Sequence, residues 1–161
     1  MQNAKAIVPK PINEPILSYA PGTPERAALK ARIEELKSQQ IEVPLIIGGQ
    51  EIKTGNMGEM RVPHEHEHIL GHYHMAGPKE VKMAIEAAMD AWQTWSKMPW
   101  ESRAAIFKKM ASILQRHGDQ TLNAATILGQ SKNAFQAEID ASCEMIDFLN
   151  FNCWYAQELY G

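Results

Sequence analysis

The stretch that most limits what this chain can become is its last long one, QAEIDASCEMIDFLNFN at Gln136 to Asn152, carried on to Tyr160 by CWYAQELY. Wound at about 100° per residue, it places Ile139, Cys143, Ile146, Leu149 and Cys153 on one side of a helix. Asp140, Glu144, Asp147 and Phe151 form a second row. One face packs and the other is acidic.

No Lys or Arg follows Lys132, so the acidic row has no partner within its own helix. Like charges three or four apart each cost a few tenths of a kcal/mol. Compensation is expected from outside. The plain expectation is a solvated face whose early acids, Glu138 and Asp140, suit the positive end of the helix dipole. The sharper one is that a carboxylate, Glu144 before the others, faces a cationic ligand.

Upstream, Pro9, Pro11, Pro15 and Pro21 exclude regular helix and bias their predecessors toward extended geometry, so residues 1–22 read as an extended arm. Thr23 is a suitable N-cap with Pro24 at the first helical position, and Leu29, Ile33 and Leu36 sustain a helix to about Gln39. The β-branched run from Val43 to Ile47, then Gly48-Gly49 and Glu51 to Thr54, predicts a β-hairpin.

Five of the six histidines, at 64, 66, 68, 72 and 74, follow in one extended stretch. Alternating imidazoles invite a zinc or nickel site, but the same alternation suits an edge strand with an exposed polar face. No second half of a zinc motif accompanies it, so the edge strand is preferred and a metal site is not assigned.

From Gly77 the chain is helical. Pro78 opens a helix with Val81, Ile85, Ala88, Trp92 and Trp95 at helical spacing, ending before Pro99. A second runs from near Glu101 to His117 and Gly118, and a third from about Gln120 to Leu128, stopping at Gly129. Ser131 or Asn133 caps the next. The tryptophans read as packing anchors, because Trp92 and Trp95 sit on an amphipathic stripe.

A net charge of −3, without a basic patch, excludes nucleic acid and anionic membranes as expected partners. The N-terminal residues lack a signal-peptide core and transit-peptide character, which reads as cytoplasmic or, alternatively, a mature mitochondrial-matrix protein. Cys143 and Cys153 lie about 15 Å apart along one helix, too far for a bridge within it, and read as core filler. No glycine-rich nucleotide loop, CxxC pair or nucleophile motif is present. Residue chemistry alone thus gives a mainly helical globule with an arm, a small β element and one acidic helical face.

Several stretches together resemble the aldehyde dehydrogenase superfamily: AIEAAMDAWQTWSKMPWESRAAIFKKMASIL is similar to its early helix pair, and GQSK precedes its next element. NEPILSYAPGTPERAAL and QAEIDASCEMIDFLNFNCWYAQEL are similar to the Δ1-pyrroline-5-carboxylate (L-glutamate γ-semialdehyde) dehydrogenases. The likeness runs from about Asn13 to Gly161, and Pro63, His66 and His68 fall at shared positions.

The resemblance implies an α/β fold of which this chain is the N-terminal part. It implies an arm over 1–22 and an incomplete NAD-binding domain over 23–161. It further implies NAD-dependent oxidation of L-glutamate γ-semialdehyde to L-glutamate by a cysteine nucleophile and a glutamate base, in a homo-oligomer. Neither Cys143 nor Cys153 matches the nucleophile motif, so this chain is expected to hold no catalytic residue, no cofactor-binding residue and no activity of its own. One site residue carries over: Glu144, expected to meet the substrate ammonium. The alternatives are a stand-alone helical interaction module and a metal-binding histidine loop.

Overall fold

The computed structural model describes residues 7–117 and 119–160. The first six residues of the expected arm and the Gly118 helix end lie outside the described residues. The elements are α1 (Pro24–Lys37), β1 (Ile41–Val43), β2 (Leu45–Ile47), β3 (Gln50–Ile52), β4 (Met57–Val62), β5 (Glu65–His74), α2 (Pro78–Trp95), α3 (Trp100–His117), α4 (Asp119–Gln130), α5 (Ala134–Ala137) and α6 (Glu144–Tyr160). Between α5 and α6, Glu138–Cys143 forms a π-helical segment. The expectation of a mainly helical chain with an arm and a small β element holds.

The chain divides into two compact units: residues 1–32, 99–127 and 132–161 in the first, 33–98 and 128–131 in the second. In the first unit, α3 packs on α6 through small residues. Ala104 and Ala111 of α3 are buried, as are Cys153 and Ile146 of α6, and the Cys153 thiol donates to the Ala104 carbonyl at 3.4 Å. Small side chains let the two backbones approach closely, the condition for dense packing. α1 starts as expected, with the Thr23 carbonyl accepting from Ala27 N–H. The Thr23 hydroxyl does not cap it, however: it donates back to the Ala20 carbonyl.

In the second unit, Pro44 divides what reads in sequence as one strand. It lacks an N–H for a ladder, and β1 and β2 on either side of it join different sheets. β2 and β3 form the expected hairpin, with Gly48 and Gly49 both at positive φ, as a two-residue turn of this hand requires. β1 pairs in parallel with β5, and β4 pairs antiparallel on its other side. The histidine strand is therefore central, not an edge. Gly71 sits opposite Ile41, where any Cβ would collide with the Ile41 carbonyl, so glycine is what allows β1 this close.

α2 follows the predicted spacing but not the predicted burial. None of its residues is buried, and Val81, Ile85, Met89 and Trp92 are each more than half exposed. Trp92 is thus not a packing anchor among the described residues. Trp100 stacks on Tyr160 instead, with ring centroids 5.9 Å apart. No helix among the described residues is long and apolar enough to cross a membrane.

Candidate functional site

The acidic helix is continuous from α5 to Tyr160, and Asn133 caps it, accepting from Gln136 N–H while Gln136 Oε1 accepts from Asn133 N–H. The π-helical segment widens the turn, so that Glu138, Ser142 and Cys143 all face inward. A period of 3.6 cannot place all three together, which is why Glu138 reads in sequence as solvated. It is 3% exposed, and the expectation of a wet helix start is corrected at this residue.

Burial of Glu138 is matched by donors. Its carboxylate accepts from Leu17 N–H at 3.0 Å, the Tyr19 hydroxyl at 2.7 Å and Asn123 Nδ2 at 2.7 Å. Asn123 also donates to the Tyr19 oxygen and accepts from Ser142. A buried carboxylate without such partners would cost several kcal/mol. Burial, then Glu138, pushes the Tyr19 phenol well above its ordinary range. Tyr19 has φ +53, a left-handed backbone that costs roughly 1 kcal/mol for such a residue, and Arg26 secures it by donating to its carbonyl.

The arm runs along this helix in the opposite direction. Val8 N–H donates to Gln157 Oε1, Glu14 N–H and Asn13 Nδ2 to the two Asp147 oxygens at 2.7 Å each, and Leu17 N–H to Glu138. An extended segment has no ladder for its N–H groups, and prolines at 9, 11 and 15 leave few to satisfy. The helix side chains supply the acceptors. Compensation for the acidic row thus comes from outside the helix, as expected, at Asp147 from one backbone amide and one side-chain amide of the arm. Lys132 adds one cation, 2.7 Å from Asp140.

Glu144 differs. It is exposed, and its carboxylate makes no hydrogen bond or ion pair among the described residues. It lines an open groove of about 330 Å³ with Asn13, Asp147, Phe148, Phe151 and Tyr155. Of the second sequence row, Glu144, Asp147 and Phe151 come together here and Asp140 does not. Sequence reasoning misses Phe148, Asn152 and Tyr155 of the helix, and above all Asn13, since nothing in the arm signals which helix turn it lies against.

Both cysteines are buried and unbridged. Burial, reinforced by Glu138, Asp147 and Glu14, pushes the Cys143 thiol up to about 12, and burial also raises Cys153. Neither supplies a thiolate near neutral pH. Among the described residues no three His, Cys, Asp or Glu side chains converge as a metal site. His74 is held in the sheet: Gly55 N–H donates to its Nδ1, and its Nε2 lies 2.8 Å from Glu42. That bond and Lys53 hold the Glu42 carboxyl below its usual range.

At the start of α2 two backbone donors are unavailable to a phosphate. The helix that directly follows a strand, α2, has Pro78 at its first position, and the Gly77 N–H is already bonded to Glu80 at 2.8 Å.

A mainly helical chain with a small mixed sheet and an extended arm is an architecture found within larger α/β folds. Residues 52–161 match the aldehyde dehydrogenase family, and the chain belongs to that family. Among curated relatives, it is 47% identical to the Δ1-pyrroline-5-carboxylate dehydrogenase of Agaricus bisporus, over 96% of this chain and 28% of the relative. It is 39% identical to the mitochondrial enzyme of that name from Dictyostelium discoideum, over 98% and 28%. The NAD-bound crystal structure of the Mycobacterium tuberculosis Δ-pyrroline-5-carboxylate dehydrogenase superposes with a TM-score of 0.94 at 40% identity, covering 98% of this chain and 30% of that one. The chain thus spans under a third of the length of these relatives.

Proposed function

We propose that this chain is the N-terminal segment of an NAD-dependent dehydrogenase that oxidises L-glutamate γ-semialdehyde to L-glutamate. It contributes the arm over 1–22 and, over 23–161, the first part of the NAD-binding domain. The observation that carries the reading is Glu144, a carboxylate with no partner among the described residues, in a groove lined by aromatic rings. A charge-assisted bond from the carboxylate and the π-faces of Phe148, Phe151 and Tyr155 suit a substrate ammonium. The names and similarity of the relatives support the substrate.

NAD, when bound by the rest of such an enzyme, accepts hydride. In this reading the share of these residues is one wall of the substrate pocket. The complete enzyme is a homo-oligomer in this reading. Its compartment is the cytoplasm or the mitochondrial matrix, and the word mitochondrial in the names of relatives supports the second. The test is NADH formation from the semialdehyde. The complete dehydrogenase turns over and these 161 residues alone do not. Turnover by the 161 residues, or a complete chain that ignores the semialdehyde, overturns the reading.

A further inference from the structure

Asp147 lies three residues beyond Glu144 on α6 and lines the same groove. Two carboxylates one turn apart are equal candidates for a cation by charge alone, yet the arm distinguishes them. Both Asp147 oxygens are engaged at 2.7 Å, one by the Glu14 N–H and one by the Asn13 amide. The arm is gripped again at Val8 by Gln157 and at Leu17 by Glu138. Between those points Asp147 grips it a third time, with the Cys143 thiol adding a weak contact to the Pro15 carbonyl at 3.9 Å. Glu14 is also tied outward, its carboxylate accepting from Gln115.

We infer that Asp147 is a positioning residue for substrate selectivity: by clamping the Asn13–Glu14 step it makes the arm a fixed wall of the groove, so that an ammonium-bearing substrate is directed onto Glu144. This rests on the reading of Glu144 as the ammonium partner. It assigns the charge to Glu144 and the geometry to Asp147. Because the arm is still held at Val8 and Leu17, loss of the middle clamp is a local change.

The chemistry of the clamp separates geometry from charge. Asparagine at 147 keeps an oxygen for the Glu14 N–H, and its own amide meets the Asn13 side chain once that amide rotates. Shape and hydrogen bonding survive while the negative charge is gone. Alanine removes all three.

The experiment is steady-state kinetics of the complete dehydrogenase carrying Asp147→Ala, Asp147→Asn or Glu144→Gln, with the semialdehyde and with a simple aliphatic aldehyde lacking an amino group. Asp147→Ala is expected to raise KM for the semialdehyde about tenfold, the scale of losing a charge-assisted hydrogen bond. kcat and the simple aldehyde should be unaffected. Asp147→Asn should restore KM to within about twofold of the parent, and amide hydrogen exchange at Glu14 should accelerate in the alanine variant only.

Equal losses on both substrates, no loss in the alanine variant, or an asparagine variant as impaired as the alanine one would each overturn the clamp. If Glu144→Gln is selective and Asp147→Ala is not, the clamp alone falls. If Glu144→Gln affects both aldehydes equally, the ammonium reading falls and takes this route with it.

Discussion

Glu138 and Glu144 lie six positions apart on one helix and are the same residue, yet their surroundings differ in nearly every respect. At Glu138 the π-helical turn, the arm and Asn123 close around the carboxylate and give it three donors. At Glu144 the helix is regular, the carboxylate is exposed, and the groove beside it is lined by rings, of which those of Phe148 and Tyr155 belong to exposed residues. A buried charge that is fully hydrogen-bonded is a structural element, since moving any partner leaves an uncompensated group. An exposed charge with no partner, beside apolar surface, contributes little to folding and remains available to a ligand. Along less than two turns of helix, the contrast separates a carboxylate that holds the arm from one that, in the proposed function, meets a substrate.

The largest way to break that contrast is at the buried end. Glu138→Ala should lower unfolding stability by roughly 3 kcal/mol, because Tyr19, Asn123 and Leu17 N–H each lose an acceptor. Glu138→Gln, which keeps the shape, should cost less. Urea unfolding of each variant measures both, and an alanine variant as stable as the parent would place Glu138 with the exposed acids.

An effect confined to alkaline pH concerns the thiol beside it. Cys143 titrates near 12 in the fold and nearer 9 when unfolded, so above pH 9 the folded state holds a proton that the unfolded chain has released. Stability therefore falls as pH rises from about 9 to 12, by at most about 1.4 kcal/mol per pH unit from this group. Cys143→Ala should flatten that alkaline limb relative to the parent in pH-dependent unfolding, whatever it costs in packing at neutral pH. An unchanged slope would contradict the buried, acid-flanked thiol.

The difference between the two carboxylates was only half legible in the sequence. Spacing was enough for the helix itself, for its packing row of Cys143, Ile146 and Cys153, and for the hairpin turn at Gly48-Gly49. Burial of Glu138 was not, because a π-helical turn shifts the face by one residue and no 3.6-residue count contains that shift. The arm's path was hidden for a related reason: its bonds join residues more than a hundred positions apart, and an N–H can be answered by any acceptor. β5 reads as an edge because its parallel partner β1 is three residues long and is fused in sequence with β2 across Pro44. The Val81 to Trp92 stripe has the period of a packed helix, but among the described residues its side chains stay exposed. Glu144 came from resemblance, and the structure adds what resemblance lacks, namely that its oxygens are uncommitted while those of Asp147 are not.

The most direct measurement of the account is therefore KM for L-glutamate γ-semialdehyde in the complete dehydrogenase carrying Glu144→Gln, set beside KM for a simple aliphatic aldehyde in the same variant. A selective rise of about tenfold or more for the amino-bearing substrate, with unfolding stability unchanged, is the predicted result. An equal rise for both aldehydes, or a loss of stability comparable to that of Glu138→Ala, would make Glu144 a second structural acid and contradict it.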